Sequence, residues 1–210
     1  MEGKAMGRES TAWGAAEGQA AKRGIAEDGP RAGDPAGRPP VDDAEAGRAP
    51  VVSVLCVGNK LMLDDGLGPA VYEELVERYE FPENVRLYDI GCLSMDMLPV
   101  VEASDVVMTV DAVDGTDAEP GTVFRFPPDA MARHSGATAS LHDLKLIDLF
   151  DAAALLGYSA EGLCLGMQVE NPSPAEVTIG LTPKVHAALP LLVETVAGEL
   201  RRLGVEVREK

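Results

Sequence analysis

From residue 51 onward, apolar runs of strand length alternate with apolar positions at helical spacing. Val51–Val57 is a β-branched run, followed by Leu67, Val71, Leu75 and Val76, whose spacing predicts a helix over about 66–79. Val85–Ile90 reads as a second strand and Met95–Ala103 as a short helix. Val106–Val110 is apolar but for Thr109, the pattern of a central strand covered on both faces. Gly121–Phe126 is shorter and alternating, suited to a sheet edge. Ser140 opens an S-x-x-D capping pattern with Asp143, predicting a helix to about Leu156. Gly162–Val169 is the last strand. Thr182-Pro183 reads as an N-cap and first helical position of a final helix that ends before Gly204, with a kink expected at Pro190.

Alternation of this kind predicts an α/β fold: a three-layer α/β/α sandwich around a mostly parallel central sheet of about five strands. Residues 51–210 are read as a single domain. Residues 1–50 differ in kind, with 9 Gly, 5 Pro and 12 Ala, and only Met1, Met6, Trp13, Ile25 and Val41 as larger apolar side chains. Such a segment buries too little surface to offset its chain entropy, so a disordered tail is expected.

Charge narrows the partners. The net charge is -17; the tail holds 7 basic and 9 acidic residues, leaving 11 and 26 for the remainder, so the acidity belongs to the folded part. That field disfavours nucleic acid and anionic lipid. No apolar stretch reaches the roughly 18 residues of a membrane span, and no signal-peptide core is present at the N-terminus, so a cytoplasmic location and no membrane partner are expected. Cys56, Cys92 and Cys164 lack C-x-x-C spacing and read as free thiols, two of them inside strand-like runs.

Carboxylates gather where such a sheet places function, at the carboxyl ends of its strands. The first strand leads to Asp64-Asp65, the second to Asp89, the third to Asp111 and Asp114. Single aspartates at strand ends commonly cap helices or turns; three strand ends together favour a cation site. Gly58, Gly66 and Gly68 make neither G-x-G-x-x-G nor a phosphate loop, and two negative charges there compete with phosphate for the same amides. Of the three histidines, His134 lies in a polar loop and His186 on the final helix. His142 stands in the first turn of the Ser140 helix. With Asp65 and Asp111 it would complete two carboxylates and one imidazole, an open set suited to nickel or zinc.

Gly58-Asn-Lys-Leu-Met-Leu-Asp-Asp-Gly-Leu-Gly-Pro69 closely resembles the G-N-x-x-x-x-D-D/E-G-x-G loop of the hydrogenase maturation endopeptidases, which trim the C-terminus of nickel-iron hydrogenase large subunits. Ser104–Ala112 resembles that family's third strand ending in an acidic ligand, Pro120-Gly-Thr122 its following turn, Leu141-His-Asp-Leu144 its histidine segment and Gly180-Leu-Thr-Pro183 the opening of its last helix. The resemblance spans about residues 51–207. It implies that Asp65, Asp111 and His142 form the metal triad, that the nickel is supplied by the large-subunit precursor, which is the partner, and that the reaction removes a C-terminal peptide. Zinc is the alternative ion. The chain departs from the family at Asp89-Ile-Gly-Cys92, where D-G-G-T is usual, and in its 50-residue tail.

Asp64 is expected to cap the first helix, with service as a base through water as the alternative. No H-E-x-x-H helix, G-x-S-x-G elbow or papain-type cysteine signature is present. Two other functions fit parts of the pattern. A nickel-binding assembly chaperone would use the same site without cleavage. A magnesium-dependent phosphoryl-transfer domain would also gather acids at strand ends, and Asp111-Ala-Val-Asp-Gly-Thr116 approaches D-x-D-G-T. The extra residue between those acids, and their place on the third strand, argue against it.

Overall fold

The structure, a computed structural model, describes residues 25–27, 48–128 and 141–210, excepting the side chains of 25–27 and 141–145. Val52–Val57 forms β1, all six residues buried. The chain continues through a one-turn 3-10 helix, Leu63–Gly66, into α1, Leu67–Arg78. Then follow β2 (Val85–Gly91), α2 (Leu98–Glu102), β3 (Val106–Val113), β4 (Val123–Phe126), α3 (Leu141–Leu155), β5 (Glu161–Gln168) and α4 (Pro183–Arg202).

The five strands lie in the order β2-β1-β3-β5-β4, with every pair parallel except β4 against β5. That is the expected α/β architecture. The antiparallel strand has a simple origin: too few residues separate β3 from β4 for the crossover that a parallel return requires. The three-residue strand Ile25–Glu27 pairs parallel with the outer edge of β4. The expectation for the rest of the tail lies outside the described residues, as do His134 and the Ser140 cap.

Side-chain alternation divides the core into two layers. Val52, Val54 and Cys56 of β1 pack with Met108 and Val110 of β3 against Leu67, Val71 and Leu75 of α1 and Val185, Leu192, Val193, Val196 and Leu200 of α4. Leu55, Val57 and Val107 face the other way, against Val101 of α2 and Leu146, Leu149 and Ala153 of α3. The helical positions recur at three- and four-residue intervals, giving each helix one buried stripe. The final helix continues through Pro190. An antiparallel pairing of Tyr79–Glu80 with Arg208–Glu209 ties the chain end to the end of α1. Among the described residues no helix is long and apolar enough to cross a membrane.

Candidate active site at the carboxyl ends of the strands

Strand order reverses at β1: the chain moves outward to β2 and returns to β3 on the other side. The carboxyl ends of β1 and β3 therefore flank the crevice in which open α/β sheets place their ligands. Asp111 is one residue beyond the last β1–β3 pair, Cys56 with Val110, at the point where β1 turns away. It shares the face of Val107, which is the face α3 covers. Its carboxyl group is nearly buried, and Oδ1 accepts the N–H of Ala112 at 2.7 Å.

Asp65 reaches the same rim by a different route. The register of β1 with β2 slips between Cys56 and Val57, which pair with Asp89 and Gly91, and this bulge releases β1 into the loop. Gly58 then adopts φ +136°, donates its N–H to the Gly91 carbonyl at 3.0 Å, and lies so close to Asp65 that an added Cβ would stand 1.9 Å from the Asp65 carbonyl oxygen. Only glycine fits. A Cβ on Gly68 would likewise stand 2.0 Å from the Val57 carbonyl oxygen, so α1 is packed directly on the end of β1. The N–H of Asn59 meets both the Asp65 carbonyl, at 3.0 Å, and its Oδ2, at 3.2 Å. The loop that superficially resembles a phosphate cradle thus folds back on itself and presents a carboxylate.

Asp64 does not cap α1. That helix begins at Leu67, with Gly66 in the N-cap position and no side-chain cap. The fully buried Asp64 carboxylate instead accepts the N–H groups of Glu170 at 3.1 Å, Asn171 at 2.9 Å and Thr182 at 2.6 Å, and the Thr182 hydroxyl at 3.0 Å. Four donors on two oxygens fix the chain as it leaves β5 and again as it enters α4. Thr182 does occupy the N-cap position of α4, but its hydroxyl serves Asp64 rather than the helix.

The remaining rim acids are engaged elsewhere. Asp89 pairs with Lys60 Nζ at 3.1 Å, and Lys60 also reaches Glu73 at 2.9 Å. Asp114 Oδ1 accepts Gly115 N–H at 2.7 Å and Gln168 Nε2 at 3.3 Å, while Gln168 Oε1 accepts the N–H and hydroxyl of Thr116. The Asp114–Thr116 segment is therefore a loop latched to β5. Sequence reasoning missed Gln168, for which a polar residue ending an apolar strand was the available signal.

His142 lies in the first turn of α3, the helix covering the face that Asp111 occupies; its side chain is outside the described residues. Among the described residues, no three His, Cys, Asp or Glu side chains form a group able to hold a metal ion. Cys56 and Cys164 are buried and Cys92 is half-buried, all as free thiols. Burial, reinforced by the negative charge of Asp89, pushes the Cys56 thiol far above its ordinary range.

A family model described as HycI, hydrogenase maturation protease, matches residues 69–199. The hydrogenase 2 maturation protease of Escherichia coli is 32% identical over 155 residues, covering 74% of this chain and 93% of that protein. The hydrogenase expression/formation protein HoxM of Azotobacter vinelandii is 36% identical over 154 residues, covering 70% of this chain and 74% of that protein. In three dimensions the hydrogenase maturating endopeptidase HybD from E. coli matches with a TM-score of 0.69 at 30% identity, over 76% of this chain and 97% of that one. The loop that folds back to present Asp65, the strand order and these likenesses agree, and the chain belongs to the hydrogenase maturation protease family, a family of endopeptidases.

Proposed function

We propose that this peptidase removes a C-terminal peptide from the nickel-loaded precursor of a nickel-iron hydrogenase large subunit, and that Asp65, Asp111 and His142 meet the nickel of that substrate. The observation that supports the reading is the pair of carboxyl groups, Asp65 and Asp111, on either side of the strand-order reversal. Together with an imidazole from the first turn of α3, they make a three-donor set of the kind that leaves coordination positions open to a substrate. Zinc suits the same donors. When bound, the ion supplies a positive charge able to polarise the scissile carbonyl.

The chain's own contribution is positioning. Asn59 N–H orients the Asp65 carboxyl group, and Ala112 N–H orients that of Asp111. Asp64 takes no part as a base, because its buried oxygens are occupied by four donors. Requiring nickel at this set would make cleavage follow metal insertion, since a precursor without it lacks the group that the three side chains recognise.

The chaperone alternative is not favoured, because the relatives are proteases. Nor is the phosphoryl-transfer alternative, because Asp114 and Thr116 are bound to Gln168. Mass spectrometry of a nickel-loaded large-subunit precursor incubated with the protein tests the proposal. Loss of one defined C-terminal peptide is expected, and binding without a change in mass would overturn it.

A further inference from the structure

The segment joining β5 to α4 is held at three points. Asp64 fixes Glu170 and Asn171 at one end and Thr182 at the other. In between, Thr178 forms an isolated parallel bridge with Met62, accepting Leu63 N–H at 2.7 Å and donating its own N–H to the Leu61 carbonyl at 3.0 Å. A strand that directs one residue's N–H and C=O toward its neighbour directs those of the flanking residues the opposite way. Among the described residues, the N–H and C=O groups of Val177 and Ile179 have no hydrogen-bond partner. Their side chains are 69% and 76% exposed, and Leu61 beside them is 50% exposed.

An open backbone edge flanked by apolar side chains is the feature that soluble proteins usually blunt with charge or cover. Here it is bridged through Thr178 to Met62, three residues before Asp65, and its segment is anchored through Asp64, the residue adjacent to Asp65. We infer that Val177–Ile179 is a docking edge that takes an extended segment of the polypeptide substrate as an added β-strand. Main-chain hydrogen bonds at Val177 and Ile179 would supply register, and the apolar side chains with Leu61 would supply selectivity for an apolar residue. A peptidase must hold its substrate in an extended form, and this edge belongs to a segment bridged to the loop that carries Asp65. The excess of acidic over basic residues after position 50, 26 against 11, favours a neutral or basic segment over an acidic one.

The inference rests on the function proposed above, so its test starts from wild-type trimming of a nickel-loaded large-subunit precursor, followed by mass spectrometry. Val177→Ser/Ile179→Ser should raise KM roughly tenfold, the loss expected when two apolar contacts are removed, with kcat within about twofold and an unchanged melting curve. Leu155→Ser, which removes a side chain 88% exposed at the far end of α3, should leave both constants unchanged. Wild-type trimming with an unchanged KM for the double variant, or a fall in kcat alone, would overturn the docking edge and leave the proposed function standing. Absence of trimming by the wild type would overturn both.

Discussion

Asp64 and Thr182 are 118 positions apart and meet twice: the Thr182 N–H donates to Asp64 Oδ1 at 2.6 Å and its hydroxyl to Oδ2 at 3.0 Å. Because Asp65 is the next residue, this clasp fixes the site loop to the start of the final helix.

Replacing Asp64 with asparagine should cost about 2–4 kcal/mol, because the amide's own N–H2 would face donors in a buried position. Thr182→Val removes only the hydroxyl contact and should cost about 1 kcal/mol. Urea unfolding of the two variants gives the comparison, and equal, small losses would show that the clasp contributes little.

Gly58→Ala should be more damaging than its size suggests. The new methyl group would fall on the Asp65 carbonyl, at a positive φ that alanine rarely adopts. A loss of about 3 kcal/mol or failure to fold is expected, read from thermal melting and soluble yield. A variant as stable as wild type would contradict the described loop.

Cysteine reactivity follows burial. With Cys56 and Cys164 buried and the Cys56 thiol held protonated by its surroundings, a thiol reagent at neutral pH should modify Cys92 first in the native protein. All three should react after denaturation. Peptide mapping of the labelled sites checks this, and rapid native labelling of Cys56 would contradict it.

Much of the fold was legible in the sequence because the central strands are buried on both faces and read as largely apolar runs. Val52–Val57 and Val106–Val110 are such cases, and all their residues are buried. The direction of β4 was not legible: a short alternating strand carries no mark of orientation, which here follows from the length of its connection. At the site, the resemblance of the Gly58–Pro69 loop identified the family. The role of Asp64 could not be read locally, because its partners lie 106 to 118 positions away. Nor could Asp89 and Asp114 be separated from Asp65 and Asp111, since Lys60 and Gln168 neutralise or bind them only once the chain has folded.

Asp65, Asp111 and His142 are proposed to act together on a nickel-loaded precursor. The mass of that precursor after incubation with His142→Ala, alongside a melting curve of the variant, tests this joint action. A folded variant, within about 1 kcal/mol of wild type, that leaves the precursor untrimmed is expected. Trimming at the normal rate by the folded variant would contradict it.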